Sequence, residues 1–459
     1  MPATLERREN QSSAQRVLPK SMRAEWIALA SIAAFWLTAL LFVGISGDFP
    51  LNDDWIYAES VQHFLQTGEI RLLACAPACL FQILSSALVC KVFGFSNEVL
   101  RALGFFWAVV ASFALYASCR LLRLQALPSA LLTLCYAANP LFLCLAFSFM
   151  TDTPAIALTL AYGAFLLKAL KDQKESSFML SSLCLLAATC VRQNLGFLAL
   201  VNALLLLLMW TRKRHSWTLL IGLIAAPLAV GYLADKWMLS TNDFTSLYVW
   251  YKGMVAKQIS LLLHTPGRVL PTIMQIAGEL LCYLGLFTLP ILLCFLPVFA
   301  RLFGNRSRIN PAFPLVSSSL IVFSLCRFII GEKRWMPFSQ NLLRMPELGA
   351  HTILGINQMP LSNKLREALT WTSGVAGFML GTVLLDTFAQ TAVNGWRCFR
   401  SGVPGSSRRF GNLLTAVAAI SIFAFQFAFT CLQSTFSDID RYYLFPLLGC
   451  CLCLALAWR

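Results

Sequence analysis

The sequence predicts an all-α protein that crosses a membrane many times. Of its 459 residues, 58% are hydrophobic and 12% are charged, and the mean hydropathy is +0.69. A soluble domain has about 45–50% apolar and about 25% charged residues. The apolar residues lie in long runs that lack the alternating polarity of a membrane β-barrel. Many of these runs approach the roughly 20 residues that a helix needs to span a bilayer.

About 12 of the apolar runs are expected to form transmembrane helices. They lie near 26–46, 98–119, 126–148, 155–169, 177–191, 194–210, 217–238, 276–299, 312–330, 370–394, 411–432 and 442–458. The run that begins at Trp26 is too long for the core of a signal peptide, so it is interpreted as a retained span. One further run, 71–95, is apolar enough to cross the membrane, but counting it would reverse the orientation of every later span.

The positive charges decide this orientation. The net charge is +15, and most of the short loops between apolar runs are rich in Lys and Arg. Such loops face the cytoplasm under the positive-inside rule, provided that 71–95 does not cross. This clustering also argues against nucleic acid as the partner. We therefore expect interfacial or re-entrant helices in a long first outer loop, 47–97.

The chain is expected to form one membrane domain, 26–459, after a basic cytoplasmic tail, 1–25. A second long outer loop covers 331–366 and is punctuated by Pro and Gly. Long loops of this kind over a membrane site often bind an acceptor or act as lids. The protein is thus predicted to be a multi-pass membrane protein with a cytoplasmic N-terminus.

An acidic turn follows the first span. Asp53 and Asp54 stand where the chain leaves the bilayer, and a helix capped by Asn52 is expected to run from there to Gly68. Acids in a first turn also favour the helix dipole, which is a purely structural explanation. The predicted apolar face of this helix is formed by Trp55, Ala58, Val61, Phe64 and Leu65.

Three further polar motifs are expected on the same outer side. Asp152 lies in Thr151-Asp152-Thr153-Pro154, where it is either a helix cap or a second functional carboxylate. Arg192 lies in a tight turn and either reaches the membrane edge or holds a lipid-linked phosphate. Arg441 and Tyr442 open the last span, where an aromatic belt is the ordinary explanation and phosphate binding the alternative.

Several classes of chemistry find no support in the sequence. It contains no P-loop, dinucleotide fingerprint, nucleophile elbow or zinc-protease motif. The 16 cysteines lie mostly within or beside spans, where cysteine behaves as a small hydrophobic residue. No cofactor is therefore predicted with certainty, and no ligand cluster identifies a metal, although a divalent metal is left open.

The order of these motifs resembles the polytopic glycosyltransferases of the C superfamily (GT-C). The closest branch is similar to the protein mannosyltransferases and aminoarabinose transferases. The resemblance implies a GT-C-like fold, a polyprenyl-phosphate monosaccharide as donor, and transfer on the periplasmic or lumenal face. It also favours a bacterial inner (plasma) membrane. The chain departs from the family at 74–79, where a His-Pro-Pro segment is often found, and this leaves the acceptor open among lipids, glycans and proteins.

The resemblance also assigns roles to the residues. An inverting transfer needs a base within about 3 Å of the acceptor nucleophile, and Asp53 or Asp54 would supply it. Asp152 would position the acceptor or a cation. The departing lipid phosphate needs positive charge, which Arg192 and Arg441 would provide together with Tyr442.

Three alternatives compete with a glycosyltransferase. A transporter or flippase of lipid-linked sugars is less favoured, because such proteins often show internal repeats and mid-membrane charges. An outer-face glycan ligase or polymerase would depend more on 331–366 than on the acidic turn. A scaffold without catalytic activity would tolerate substitution of all these residues.

Overall fold

A computed structural model describes residues 20–49, 54–72, 78–210, 221–241, 245–294, 296, 310, 312–331, 363–401, 408–434 and 443–458. The chain is a helical polytopic membrane protein, as predicted. Its α-helices are α1 Lys20–Val43, α2 Asp54–Thr67, α3 Leu80–Phe93, α4 Asn97–Leu121, α5 Ala126–Ala137, α6 Pro140–Ala146, α7 Asp152–Asp172, α8 Glu175–Val191, α9 Ala199–Trp210, α10 Ala226–Thr241, α11 Thr245–His264, α12 Pro266–Cys294, α13 Ala312–Gly331, α14 Asn363–Arg400, α15 Arg408–Ser434 and α16 Leu444–Ala457. A 3₁₀ segment, Gln193–Leu198, precedes α9, and a π-helical turn, Ile221–Ala225, precedes α10.

Within the described residues, seven helices are long and apolar enough to cross a membrane, or eight if α5 and α6 form one span. Four shorter apolar helices occupy the other predicted spans: Glu175–Val191, Gln193–Met209, Ala312–Cys326 and Leu444–Ala457. A helix therefore lies at each of the 12 predicted positions, but only seven or eight of these helices are long and apolar enough to be candidate spans, fewer than predicted.

The predicted span 126–148 is not one straight helix. It bends by 73° between α5 and α6. Pro140 cannot donate a backbone hydrogen bond, and it occupies the first turn of α6, where none is needed. The Asn139 side chain caps the new helix by accepting from the Leu141 amide at 2.9 Å. The sequence analysis overlooked this Asn-Pro pair as a helix stop and restart.

The segment between α1 and α4 begins and ends at the same end of the helical bundle. Asp48, just after α1, accepts hydrogen bonds from the Asn97 amide and side chain at 2.7 and 3.0 Å. The Gly47 amide donates to Glu98 at 2.7 Å. At the opposite ends of the two helices, Glu25 pairs with Arg120. Helices α2 and α3 therefore lie between two points on one side of the bundle, which agrees with the expectation that 71–95 does not cross.

Helix α2 has the predicted end but a different buried face. Gly68 terminates it with φ +76°, and its amide donates to Phe64 O at 2.9 Å. Of the face predicted to lie in the membrane interface, Ala58 and Val61 are buried in the protein, as is Tyr57 from outside that face, whereas Trp55 is 47% exposed. Trp55 lies on the side away from the bundle, as suits an amphipathic ring at a membrane surface. The proposed cap, Asn52, lies outside the described residues.

Helix α7 is the centre of the membrane domain. Most of its side chains are buried, and it packs against α4, α8 and α15. Close helix contacts elsewhere depend on small residues: a Cβ at Gly285 of α12 would lie 2.4 Å from the Gly377 backbone of α14. Such contacts replace the hydrophobic effect as the source of helix association in a bilayer.

Candidate active site at one end of the helical bundle

Four separate segments of the chain meet at the end of the bundle where α2 begins. They are the start of α2, the turn 147–151 before α7, the turn at 192 after α8, and the start of α16. The Phe149 amide donates to Asp54 Oδ2 at 3.4 Å. The guanidinium carbon of Arg192 lies 5.7 Å from the centroid of the Phe445 ring. The structure thus brings together motifs that are far apart in the sequence.

A buried ion pair joins two of the predicted site residues. Arg192 Nη2 lies 2.8 Å from Asp152 Oδ1. Asp152 is fully buried, and Arg192 is 7% exposed. Arg192 is placed by the end of α8, where its extended backbone breaks the helix, and Asp152 is the first residue of α7. The Arg192 side chain therefore points into the protein instead of reaching the membrane edge.

Thr151 contributes to this pair and does not cap α7 with its side chain. Its hydroxyl accepts from Arg192 Nε and Nη2 at 3.1 and 2.9 Å. Neither oxygen of the Asp152 carboxylate makes a hydrogen bond of suitable geometry to the part of the chain that the structure describes. The simple capping explanation thus accounts poorly for Thr151 and Asp152, because the carboxylate retains unused hydrogen-bonding capacity.

Asp54 is buried next to the same turn. It is the first residue of α2, where the helix dipole favours a carboxylate, and its bonded partner, Phe149, precedes Asp152 by three residues. The structure accordingly groups Asp54, Asp152 and Arg192. Asp53, Arg441 and Tyr442 lie outside the described residues, as does most of the late loop, 332–362.

Helix α3 also binds this turn. The carbonyl of Phe149 accepts a hydrogen bond from Gln82 Nε2 of α3 at 3.1 Å. Gln193, next to Arg192, accepts from the Ala78 amide at 2.9 Å, and the Cys79 amide donates to Val191 O at 3.1 Å. Helix α3 is thereby fixed to both turns. The sequence analysis missed Gln82, because nothing in an apolar run marks a glutamine as facing a turn 67 residues away.

Arg101 is a second residue that the sequence analysis missed. It is buried in α4 and donates from Nη1 to Ser46 O and from Nη2 to Phe49 O, each at 3.2 Å. Its guanidinium carbon also lies 5.0 Å from the centroid of the Phe49 ring. It holds the segment that leads into the acidic turn. An arginine inside a predicted span was a usable signal, since intramembrane charges usually have a specific role.

No group of three or more His, Cys, Asp or Glu side chains suited to a metal occurs among the described residues. Of the two carboxylates that the described residues bring to this site, Asp54 and Asp152, the second already has its charge balanced by Arg192. The described geometry gives no specific support for a resident metal.

Residues 81–233 match the family of dolichyl-phosphate-mannose-protein mannosyltransferases. This segment contains Gln82, Arg101, Asp152 and Arg192. The match confirms the predicted resemblance, and with it the predicted class of enzyme: a membrane glycosyltransferase that uses a sugar linked to a lipid phosphate. A comparison with curated proteins gives no match.

Two solved structures are similar to nearly the whole chain. ArnT from Cupriavidus metallidurans bound to undecaprenyl phosphate is 14% identical, covers 94% of this chain and 76% of its own, and has a TM-score of 0.38. The oligosaccharyltransferase AglB from Archaeoglobus fulgidus, in complex with an inhibitory peptide and a dolichol-phosphate, is 11% identical, covers 94% of this chain and 50% of its own, and has a TM-score of 0.46. At these TM-scores no role of an individual residue is transferred from either structure.

Proposed function

We propose that this protein transfers a monosaccharide from a polyprenyl-phosphate donor to an acceptor on the outer face of the membrane, with inversion. The observation that carries the proposal is the meeting of the buried Asp54 with the turn that leads to the Asp152–Arg192 pair. Two acids and a cation at one end of a helical membrane domain suit the activation of an acceptor and the departure of a phosphate. The acceptor class stays open among lipid, glycan and protein.

Asp53 or Asp54 is proposed as the base. An inverting transfer needs one carboxylate to take the proton of the acceptor nucleophile. Asp54 has the geometry in its favour, because it is buried and its Oδ2 faces the Phe149 amide. Asp53 is the alternative base, because it is next to Asp54 in the sequence.

Arg192 is proposed to stabilise the departing lipid phosphate. Thr151 and Asp152 hold its side chain in one orientation, and this preorganises the positive charge for the anion that forms. Arg441 and Tyr442 are proposed to complete the phosphate site. They precede Phe445, whose ring lies against the Arg192 guanidinium, by three or four residues.

Asp152 is proposed to position the acceptor or a cation, as the sequence suggested, and the ion pair adds a further task of orienting Arg192. A divalent metal would be tested by chelation. If transfer survives prolonged treatment with EDTA, the acceptor or Arg192 is the relevant partner of Asp152 and a metal is not.

The finer topology also belongs to this proposal. Twelve spans, a cytoplasmic tail at 1–25, outer loops at 47–97 and 331–366, and a location in a bacterial inner membrane would place the site on the periplasmic face. The gathering of Asp54, Arg192 and Phe445 at one end of the bundle supports an arrangement in which every site motif lies on the same side.

The proposal is tested by measuring the transfer of label from a panel of undecaprenyl-phosphate sugars in membranes that contain the protein at matched levels. Asp54→Asn and Asp53→Asn are compared with Asp172→Asn, which alters an exposed acid at the opposite end of α7. We expect Asp172→Asn to retain transfer. At least one of the acidic-turn variants should transfer sugar more than 100-fold more slowly, in line with the rate contribution of a general base of about 10²–10⁴.

Retention of full transfer by both acidic-turn variants would reject the assignment of the base. If the wild-type protein transfers no sugar from any donor of the panel, the proposed reaction is rejected. Movement of a lipid-linked sugar across the membrane is then the activity to measure.

A further inference from the structure

Gln82 is a residue of this site whose hydrogen bonding is incomplete. Its Nε2 donates to Phe149 O at 3.1 Å. A carbonyl oxygen can only accept, so this bond fixes which end of the side-chain amide faces the turn. Gln82 Oε1 therefore has a defined position beside Phe149, the residue whose amide donates to Asp54.

The Oε1 atom is buried and has no hydrogen-bond partner among the residues that the structure describes. The whole residue is only 2% exposed. Buried polar atoms without a partner are rare in native proteins, and each calls for a ligand, a bound water or a functional reason. The Asp152 carboxylate, at the end of the same turn, pairs with Arg192 and also has unused hydrogen-bonding capacity. Two buried acceptor groups with unfilled hydrogen-bonding positions thus lie at the turn that leads into α7.

Both groups require hydrogen-bond donors. An amide oxygen is a neutral acceptor, and it can neither attract a phosphate nor activate a nucleophile. A hydroxyl is the donor that every sugar and many acceptors carry. Because Gln82 binds the carbonyl of Phe149 and Asp54 binds its amide, a hydroxyl bound to Gln82 would lie in the part of the site that holds the proposed base.

We propose that Gln82 Oε1 accepts a hydrogen bond from a hydroxyl of the bound substrate, which makes Gln82 a residue that determines specificity. The inference rests on the proposed function. The hydroxyl belongs either to the sugar being transferred or to the acceptor, and the two sources share the same chemistry at this atom.

The first experiment measures donor binding to purified protein in lipid nanodiscs, without any acceptor. The probes are undecaprenyl-phosphate mannose and its 2-, 3-, 4- and 6-deoxy derivatives. Wild type is compared with Gln82→Leu and with Ser85→Ala, a control three residues further along the same helix. For the control we expect the same relative affinities as for wild type.

If a donor hydroxyl binds Gln82, wild type discriminates against one deoxy derivative by about 10- to 100-fold, as expected for a site that loses a buried hydrogen bond. Gln82→Leu would reduce that ratio to near one and leave the other ratios unchanged. A role of Gln82 in folding alone cannot produce this result, because it would lower the affinity for all donors by one factor.

The second experiment distinguishes the acceptor as the source. It measures transfer to the acceptor in native membranes at saturating donor, with the amount of acceptor varied. The hydroxyl belongs to the acceptor if Gln82→Leu leaves the donor discrimination unchanged and raises the acceptor KM by about tenfold or more.

The inference is overturned if Gln82→Leu changes neither the relative affinities for the deoxy donors nor the acceptor KM. A bound water would then be the partner of Oε1. This failure differs from failure of the proposed function, which is seen when the wild-type protein transfers no sugar at all.

Discussion

The Asp152–Arg192 pair shows how one buried contact combines structural and functional demands. Desolvating two charges is unfavourable, and a buried pair adds little net stability unless further hydrogen bonds support it. Thr151 gives such support to Arg192, whereas the Asp152 carboxylate keeps unused hydrogen-bonding capacity. A pair selected for stability alone would be satisfied on both sides. The role proposed for Asp152, positioning the acceptor or a cation, would use this capacity.

Neutralising one member of the pair should destabilise the protein. Asp152→Asn leaves the Arg192 guanidinium buried without its counter-charge, and we expect a loss of about 3–5 kcal/mol in the free energy of unfolding. The double variant Asp152→Asn/Arg192→Gln removes both charges and should regain most of this loss. Chemical unfolding in detergent, monitored by tryptophan fluorescence, measures the difference.

The same variants separate stability from activity. The double variant should remain inactive in the transfer assay, because the positive charge proposed for the phosphate is absent. An inactive but stable double variant supports a functional role of Arg192. A double variant that transfers sugar at the wild-type rate would show that the pair is structural only.

The sequence singled out three of the residues that the structure brings together. Asp54, Asp152 and Arg192 stood out because charged residues at the ends of apolar runs are rare and costly. The partners of Gln82 and Thr151 could not be predicted, since they are 67 and 41 residues away and become neighbours only after the helices pack. A polar side chain in an apolar run has many structural explanations, and the sequence does not choose among them.

Two residues of α4 hold the segment 46–49 and the 147–151 turn. Arg101, near the start of the helix, donates to the carbonyls of Ser46 and Phe49. Gly104, three residues further on, lies so close to the other turn that a Cβ atom would be 2.2 Å from Ser148 O. One face of α4 thus positions both the segment before the acidic turn and the turn that binds Asp54.

Arg101→Lys should lower kcat about tenfold or more and change the donor KM little. Lysine keeps the charge, but it is a point donor that does not bridge two carbonyls as the arginine fork does. The segment before the acidic turn would then lose its fixed position while the phosphate site stays intact. Steady-state transfer kinetics measure both parameters.

Arg120→Gln is the matched control for Arg101, because it removes an arginine that binds Glu25 at the opposite end of α4. It should lower thermal stability and leave kcat unchanged in the protein that remains folded. Equal effects of the two variants on kcat would contradict a positioning role of Arg101.

Gly104→Ala should abolish transfer, because the added methyl group meets a backbone oxygen and displaces the turn that precedes Asp152. The matched control is Gly163→Ala in α7, where the nearest atom is Ile422 Cδ1 at 4.0 Å. We expect normal expression and near-normal transfer for the control. Wild-type transfer by Gly104→Ala would show that the turn can shift without consequence for the chemistry.

The elements themselves were largely predictable, because the length and hydropathy of a run decide whether it forms a membrane helix. The bend at Asn139 and the exposed side of α2 were not. The bend depends on a local cap that competes with helix continuation, and the face of α2 depends on the bundle against which it packs. In both cases the hydrophobic pattern was compatible with more than one arrangement.

In the whole molecule, the directions of the helices indicate which of them cross the membrane. Asp48 and Asn97 are hydrogen-bonded at one end of the bundle, and Glu25 meets Arg120 at the other. Helices α1 and α4 therefore run in opposite directions, and the chain between them returns to the end from which it left. The positive charges of the later loops fit the same topology, since an extra crossing at α3 would reverse all of them.

This topology predicts that the N-terminal tail and the loop after α7 lie on the same side of the membrane. From the tail, α1 leads outward, α4 inward, the bent pair α5 and α6 outward, and α7 inward again, so that Asp172 faces the compartment of the tail. Epitope tags at the N-terminus and after Asp172, with a third after Gly68, can be probed by protease in sealed vesicles and in permeabilised ones. We expect the first two tags to share one accessibility and the third to show the opposite.

If the tag after Asp172 instead behaves like the tag after Gly68, then α3 crosses the membrane or the bent pair does not. The periplasmic placement of the site would then have to be abandoned, because Asp54 and Arg192 can meet only at a single end of the bundle.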